Sequence, residues 1–248
     1  MSSRMGLQAA LCYDLPVPSH THRGRFITFE GLDGCGKSTQ LAKLAAVLRA
    51  QGLAVVVTRE PGGTPTGEQI RRLLLDTKTS SLAPLAELAL MFAARAQHIA
   101  EVIQPALAQG RVVLCDRFTD STEAYQGGGR KLGGEAVLAL HRILCVGLQP
   151  ELTILMDSDA AASVDRARRR NRSHASKNGR GKSDENRFEL ESRAFFGRVR
   201  SAYLAIAKRE AQRVVVVDAR GTPDETHRQI VDVVRRRLKL PGKIMLSA

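Results

Sequence analysis

The sequence predicts an α/β fold, a doubly wound five-stranded parallel sheet with helices on both faces. Three observations support this prediction: short runs rich in β-branched residues, helical stretches between the runs, and near-continuous apolar character within each run. The runs cover residues 26–30, 54–58, 112–115, 152–156 and 214–217. Because the carboxyl ends of parallel strands lie along one edge of the sheet, we expect a ligand site at that edge.

The first run is followed by a glycine-rich loop and then by a helical stretch, residues 38–50. The loop satisfies the pattern GxxxxGK(S/T), in which backbone N–H groups converge on phosphate oxygens at a helix N-terminus. Lys37 can bridge the β- and γ-phosphates, and the Ser38 hydroxyl can ligate Mg²⁺. An ordinary glycine turn is the alternative, but the order of strand, loop and helix favours a P-loop NTPase-type fold that binds ATP and Mg²⁺. The predicted phosphate-binding residues are Gly31, Leu32, Asp33, Gly34, Cys35, Gly36, Lys37, Ser38 and Thr39.

The third run ends in Asp116 and Arg117, beside the expected phosphate site. A carboxylate at this strand end can orient Mg²⁺ or its waters, and Asp33 is a further acid close to the transferred phosphate. Asp116, Ser38 and Asp33 are therefore the predicted metal residues. Capping of the following helix is the alternative role for Asp116.

Residues 168–187 break the helical pattern, because Asn, Ser and Gly interleave with basic residues and leave nothing apolar to bury. This composition predicts a mobile basic loop, which we call the lid. Transfer between phosphates needs electrostatic stabilisation more than covalent help, and lid arginines can supply it. The alternatives are a solvated basic helix end over residues 168–172, or a disordered insertion with no catalytic role.

The formal net charge of +13 has two explanations, a nucleic-acid surface or sites for phosphorylated small molecules. Only 4% of the residues are aromatic, so few rings are available to stack on bases. Many arginines fall in residues 166–187 and 235–237. We therefore expect small-molecule substrates and no nucleic-acid partner, with a nucleic-acid-binding P-loop NTPase as the rival class.

The length of 248 residues fits one α/β domain, expected over residues 25–240. Residues 1–24 are predicted to be a mobile N-terminal tail without a signal-peptide core, and residues 241–248 a C-terminal tail. No apolar run approaches the roughly 20 residues of a membrane helix, so no membrane partner is expected. The cysteines lack CxxC spacing, which indicates reduced thiols and a cytoplasmic location. They are Cys12, Cys35, Cys115 and Cys145.

Several further segments carry a resemblance to a known family. They are REPGGT at 59–64, LLLD at 73–76, MFAAR at 91–95, DRFTDSTEAYQGGGR at 116–130, and RFELES at 187–192 followed by Tyr203. Together with the phosphate loop, these segments resemble the thymidylate kinase family over about residues 26–238. The resemblance implies that ATP and dTMP react to give ADP and dTDP, with Mg²⁺, in a homodimer. A kinase for another nucleoside monophosphate is the nearest alternative.

The resemblance also implies an acceptor site. The REPGG loop and Arg95 are expected to flank dTMP, and Arg117 to meet its phosphate. The expected substrate-binding residues are Arg59, Glu60, Pro61, Met91, Phe92, Arg95, Arg117, Ser121, Thr122, Tyr125 and Gln126. Relatives usually have Phe at the position of Met91, so either Met91 packs on the base, or Phe92 shifts over it, or both side chains fill the core.

Catalytic charge is expected from the lid. Members of the family carry an arginine either within the phosphate loop or in the lid, and Gly34 after Asp33 resembles the second type. The leading lid candidates are Arg168, Arg172 and Arg187, and the residues alone do not separate them. The expected catalytic residues are Lys37, Asp33, Arg117, Arg168, Arg172 and Arg187.

Overall fold

A computed structural model of the protein describes residues 24–79, 81–177 and 187–238, with the backbone alone for residues 170–177 and 189. Five strands form one parallel sheet in the order β2-β3-β1-β4-β5. The strands are β1 Arg25–Glu30, β2 Val55–Arg59, β3 Val112–Asp116, β4 Leu152–Asp157 and β5 Val214–Asp218. The predicted sheet is confirmed, and no predicted strand end is displaced by more than one residue.

Helices connect the strands and cover the sheet. They are α1 Lys37–Ala50, α2 Pro65–Leu75, α3 Pro84–His98, α4 Gln104–Ala108, α5 Thr119–Thr122, α6 Gly134–Leu144, α7 Ala160–Lys177, α8 Arg193–Arg209 and α9 Pro223–Arg237. Two π-helical segments, Ile99–Ile103 and Glu123–Gly129, continue α3 and α5. At α2, the Thr64 side chain accepts a hydrogen bond from the Gly67 amide, which satisfies one of the free N–H groups of the first turn.

The two faces of the sheet bury different sets of side chains. Ile27 of β1 packs in a cluster with Leu44 of α1 and Val234 of α9. The preceding residue, Phe26, points to the opposite face and packs in a second cluster with Phe92 of α3. Successive side chains of a strand alternate between faces, so helices on both sides complete the doubly wound fold that the sequence predicts.

The outer strands are less buried than the sequence predicts. Val57 of β2 is 44% exposed and Val216 of β5 is 46% exposed, although both strands consist largely of valine. The central strands β1, β3 and β4 are almost completely buried. Apolar composition predicts a strand correctly but does not indicate whether the strand lies at the edge or in the centre of the sheet.

The prediction of a loop starting at residue 168 is wrong for its first half, because α7 is helical as far as Lys177. Arginine, alanine and lysine have high helix propensity, and α7 needs only a narrow apolar face, which includes the buried Val164 and Ala167. Residues 178–186 of the predicted lid lie outside the described residues. The next described element is a short 3₁₀ turn, Arg187–Leu190.

The predicted tails lie almost entirely outside the described residues, which begin at Gly24 and end at Leu238. The same holds for Cys12, whereas Cys35, Cys115 and Cys145 are buried free thiols. Within the described ranges, no helix has both the length and the apolar character required to cross a bilayer.

Candidate functional site

The glycine-rich loop lies between β1 and α1 and folds around the side chain of Lys37. Gly31, Gly34 and Gly36 have φ angles of 133°, 81° and 98°, a region that residues with a Cβ rarely adopt. Lys37 Nζ is buried and donates to the carbonyls of Gly31 at 3.1 Å and Leu32 at 2.9 Å. The loop therefore holds an ammonium group among its backbone atoms, at the amino end of α1, where phosphate binding is favourable.

Ser38 and Asp116 meet at the start of α1. The Ser38 hydroxyl donates to Asp116 Oδ2 at 2.8 Å, because β3 lies beside β1 and ends level with Phe29. A hydroxyl and a carboxylate are oxygen ligands of the kind that Mg²⁺ prefers, so this pair fits the expected metal ion. Asp33, the third predicted metal residue, instead pairs with Arg117.

Arg117 has a φ angle of 74°, which is strained for a residue with a Cβ and is typical of functional positions. Its Nη2 donates to Asp33 Oδ1 at 2.7 Å and its Nη1 to the Ser121 hydroxyl at 3.0 Å. The guanidinium also lies 5.0 Å from the ring centre of Tyr125. Burial by itself lowers the pKa of Arg117, but the Asp33 carboxylate raises it well above its usual range, so the positive charge persists.

Glu30, the last residue of β1, contacts residues that also contact Arg117 and was not among the predicted site residues. Ser121, which it binds, also binds Arg117. Its carboxylate accepts hydrogen bonds from the Phe118 amide at 2.7 Å, the Tyr203 hydroxyl at 2.9 Å and the Ser121 hydroxyl. Burial raises the pKa of Glu30 to about 7, which the Asp120 carboxylate reinforces, whereas Arg117 and the hydrogen-bond donors oppose it. A charged residue at the end of an apolar run was the available signal.

The REPGG loop meets α3 through a buried ion pair. Arg95 Nε donates to Glu60 Oε2 at 2.6 Å, and Arg95 Nη2 donates to the Thr122 hydroxyl at 2.9 Å. His98 Nδ1 lies 2.9 Å from the other Glu60 oxygen. Burial alone raises the pKa of Glu60, but Arg95 and His98 bring it below its ordinary value. Within the described structure, the buried Arg95 Nη1 has no hydrogen-bond partner, so it is available to an acceptor on a ligand.

Glu60 and His98 also lie close to Cys115, with their potential ligand atoms within 4.8 Å of one another. The Glu60 carboxylate is already paired with Arg95, and burial raises the pKa of the Cys115 thiol well above its usual range. A protonated thiol and an occupied carboxylate are poor metal ligands, so we assign no metal to this cluster.

One cavity of about 200 Å³ joins the loop to the acceptor-side residues. Its lining combines the phosphate loop, the end of β3 and the region after β2. The lining residues are Asp33, Gly34, Gly36, Lys37, Ser38, Thr39, Arg59, Glu60, Arg71, Asp116 and Arg117. Arg71 was not among the predicted site residues; it belongs to α2 and donates to the Pro61 carbonyl at 3.0 Å.

The remaining predicted acceptor residues are not among those that line this cavity. Phe92 is completely buried in the core, whereas Met91 is only partly buried, so the structure favours Met91 over Phe92 as a surface for a base. The Tyr125 hydroxyl lies 3.4 Å from Asp33 Oδ2. Gln126 Nε2 donates to the carboxylate of Glu87 at 2.8 Å, a residue that the sequence did not single out.

The lid candidates occupy different environments. Arg168 Nη2 donates to the Glu191 carbonyl at 3.3 Å. Arg187 is buried against Leu74 and Glu87 and does not line the cavity. The side chain of Arg172 lies outside the described part of the structure.

Helix α7 reaches the phosphate loop itself. A Cβ at Gly34 would lie 2.1 Å from the carbonyl oxygen of Ser163, so no larger residue fits there with α7 in place. Arg166 Nε donates to the Gly34 carbonyl at 2.9 Å. The sequence included Arg166 in a basic stretch without giving it a role.

An all-parallel sheet, a glycine-rich loop between β1 and α1, and a serine paired with an aspartate from the neighbouring strand define a P-loop protein that handles nucleotide phosphates. A family model described as thymidylate kinase matches residues 29–230. Thymidylate kinase of Trichlorobacter lovleyi is 49% identical over 216 residues, which cover 87% of this chain and 99% of the relative.

Two further relatives agree. Thymidylate kinase of Pseudomonas syringae pv. tomato is 53% identical over 196 residues, covering 79% of this chain and 88% of the relative. A crystal structure of thymidylate kinase from Ehrlichia chaffeensis superposes with a TM-score of 0.66 at 32% identity, covering 86% of this chain and 99% of that one. The chain therefore belongs to the thymidylate kinase family, and it is an enzyme of the kinase class.

Proposed function

We propose that this enzyme phosphorylates dTMP to dTDP, with ATP as the phosphoryl donor and Mg²⁺ as the metal ion. The observation that carries the proposal is a cavity that is lined both by the phosphate loop and by the arginines Arg71 and Arg117. Two phosphate-bearing molecules meet in such a cavity, and arginine forks suit the phosphate of the acceptor.

On the donor side, the loop amides and Lys37 hold the β- and γ-phosphates. The Lys37 ammonium exchanges its present bonds to the Gly31 and Leu32 carbonyls for bonds to phosphate oxygens. Ser38 and Asp116 would hold Mg²⁺, which when bound neutralises charge on the donor oxygens. No general base is required, because a nucleotide phosphate is already an anionic nucleophile.

On the acceptor side, Arg117 neutralises the dTMP phosphate, and Asp33 orients Arg117 through their 2.7 Å hydrogen bond. Arg95 offers its unsatisfied Nη1 to a carbonyl of the pyrimidine, while Met91 packs on the ring. The family resemblance, together with these contacts, supports the same assignment for the rest of the acceptor site. The proposed remaining substrate residues are Arg59, Glu60, Pro61, Ser121, Thr122, Tyr125 and Gln126.

The positive charge that stabilises the transferring phosphoryl group comes from arginines of α7. Gly34 leaves no space for an arginine in the loop, and α7 contacts the loop at this point through Ser163 and Arg166. Arg168 and Arg172 follow on the same helix and are the proposed catalytic arginines. Their role is electrostatic stabilisation of the transition state.

We further propose a homodimer in the cytoplasm. Ile143 of α6 is 72% exposed, and the apolar Leu85 of α3 and Val146 beyond α6 are also exposed. Exposed apolar side chains on neighbouring helices suit burial against a second copy of the chain. The buried free thiols of Cys35, Cys115 and Cys145 fit a reducing compartment. An Ile143→Glu variant that stayed dimeric in sedimentation analysis would contradict this choice of interface.

One assay tests the proposed activity: phosphoryl transfer from ATP across dTMP, dCMP, dUMP, dGMP and GMP, with DNA-stimulated ATP hydrolysis as a parallel measurement. We expect dTMP to have the highest kcat/KM, because groups placed for a 4-carbonyl are left badly paired by a 4-amino group. A higher kcat/KM for dCMP or GMP would overturn the choice of acceptor. Hydrolysis stimulated by DNA, without transfer to any monophosphate, would favour the rival class of P-loop NTPase.

A further inference from the structure

Glu87, in the first turn of α3, has no exposed surface and lies outside the cavity that carries the proposed chemistry. It accepts hydrogen bonds from side chains of three other residues: Gln126 Nε2 at 2.8 Å, Arg130 Nη2 at 3.2 Å and Arg187 Nη2 at 2.7 Å. A buried carboxylate is unfavourable unless it is paired and hydrogen-bonded. The position of each of these three side chains is therefore tied to one charge.

The Glu87 contacts extend in two directions. On one side lies Gln126, in the π-helical segment that supplies the proposed acceptor residues. On the other side, Arg130 Nη1 donates to the Glu191 carboxylate, and the Glu191 carbonyl accepts from Arg168 of α7 at 3.3 Å. A continuous polar chain thus links the acceptor segment to the helix that carries the proposed catalytic arginines.

Arg187 is fixed by this cluster and by its surroundings. Its Nε donates to the Leu74 carbonyl at 2.6 Å, and its guanidinium lies 4.6 Å from the ring centre of Phe188. Phe188 in turn packs edge-on against Tyr125, with ring centres 5.8 Å apart. An arginine held by a carbonyl, a carboxylate and a ring is poorly placed to donate to a phosphoryl group in the cavity.

We propose that Glu87 is a positioning residue, which sets α7 and its arginines relative to the acceptor segment, and that Arg187 assists the reaction through Glu87 rather than by touching the phosphoryl group. This inference rests on the proposed phosphorylation of dTMP. Glu87 is the buried group that fixes the acceptor segment and α7 relative to each other. A loss of this group displaces Arg168 and Gln126 together, because both are linked to the same carboxylate.

A double-mutant cycle with Glu87→Gln and Arg187→Met tests the proposal, using the full chain with ATP, Mg²⁺ and dTMP. We expect each single variant to lower kcat about tenfold and to raise KM for dTMP about threefold, with KM for ATP nearly unchanged. In the Glu87→Gln background, Arg187→Met should then lower kcat by less than about twofold, because its partner is already lost. If Arg187 touched the phosphoryl group directly, its substitution would lower kcat about tenfold in both backgrounds, and the proposal would be overturned.

A matched control comes from Glu123, a buried carboxylate in the same π-helical segment. It accepts two hydrogen bonds from Arg209 of α8, Nη1 to Oε1 at 2.6 Å and Nη2 to Oε2 at 2.8 Å, and has no described link to α7. Glu123→Gln should lower the unfolding midpoint and leave kcat and KM unchanged. An equal loss of kcat in Glu123→Gln would reduce Glu87 to a structural role and overturn the proposal.

A second variant and a prior assay of the wild type make the double-mutant cycle interpretable. If Glu87→Gln does not fold, the cycle is measured with Glu87→Asp, which retains the charge but shortens the side chain, and additivity with Arg187→Met would again overturn the proposal. The wild-type enzyme is assayed first with the monophosphate panel. A wild type without dTMP kinase activity rejects the proposed function, whereas an active wild type with an additive cycle rejects only the role of Glu87.

Discussion

The phosphate loop and the Glu87 cluster are built in opposite ways. The loop takes its proposed phosphate-binding groups from one run of consecutive residues, 31–39, and its geometry follows from glycines and a helix start. The Glu87 cluster brings together Gln126, Arg130 and Arg187, the last of which is 100 residues away in sequence. A site made of consecutive residues is visible in sequence, whereas a site made of distant, buried polar groups becomes visible only when the chain has folded.

The largest loss of activity should come from a substitution in the phosphate loop. We expect Lys37→Met to lower kcat at least about a hundredfold, because a preorganised charge on the transferring phosphate contributes several kcal/mol. The measurement is turnover at saturating ATP and dTMP, with far-UV circular dichroism to confirm the fold. Lys43→Met is the matched control, since Lys43 lies on the same helix and pairs only with the exposed Asp224 among the described residues. Near-normal turnover of a folded Lys37→Met protein would contradict the assignment of the loop.

A smaller loss of kcat is expected from substitutions in α7, because several arginines of this helix share the stabilising charge. Arg168→Ala or Arg172→Ala should lower kcat and kcat/KM together about tenfold, since the lost charge acts mainly in the transition state. Arg169→Ala is the control, because Arg169 is an exposed neighbour on α7. Each variant is measured at low and moderate salt, since a screened surface charge affects mainly KM for ATP.

This test can also reject the lid mechanism. If both variants kept the wild-type kcat at saturating substrates, the stabilising charge would have to come from elsewhere. Arg166, which contacts the loop at Gly34, would then be the next residue to substitute. A loss of kcat in Arg169→Ala equal to that in the other two variants would show that α7 contributes a diffuse field rather than a specific contact.

The fold was largely predictable, because strand composition and the loop pattern depend on neighbouring residues. Sheet order was not: the valine-rich runs of β2 and β5 predict buried strands as the apolar runs of the central strands do, yet both lie at edges. The extent of α7 was also misjudged, since its arginines suit both a solvated helix and a loop. The contact of α7 with the phosphate loop, in which Ser163 lies against Gly34, is specified only by tertiary packing.

The residues of the candidate site likewise fall into two groups, those that a sequence motif identifies and those that only the folded structure identifies. Lys37, Ser38 and Asp116 were identified from a motif and from the rule that ligands gather at strand ends. Glu30 and Glu87 were not, because an acidic residue beside apolar ones carries no sequence mark of the donors that will surround it. Such residues become identifiable from burial and hydrogen-bond partners.

Glu30 provides the smallest and most specific test, since it directly precedes the loop and its charge interacts with that of Arg117. Its pKa is raised from 4.5 to about 7, so between these values the folded protein binds more protons than the unfolded chain. The contribution of Glu30 to stability is therefore present below pH 4.5 and is lost as pH rises toward about 7. The expected slope is on the order of 1 kcal/mol per pH unit.

The measurement is urea unfolding of wild type and Glu30→Gln at several pH values, with the difference in unfolding free energy plotted against pH. A difference is needed because His141, whose pKa burial lowers to about 4, gives stability that rises with pH over part of the same window in both proteins. The wild type should lose stability relative to Glu30→Gln as pH rises from 4.5 to about 7. Asp218→Asn is the control, because hydrogen bonds from Arg220 lower the pKa of Asp218 to about 2, below this window. A Glu30→Gln difference as flat as that control would mean that the hydrogen-bond donors around Glu30 keep it ionised, and that the carboxylate supports Arg117 as a fixed negative charge.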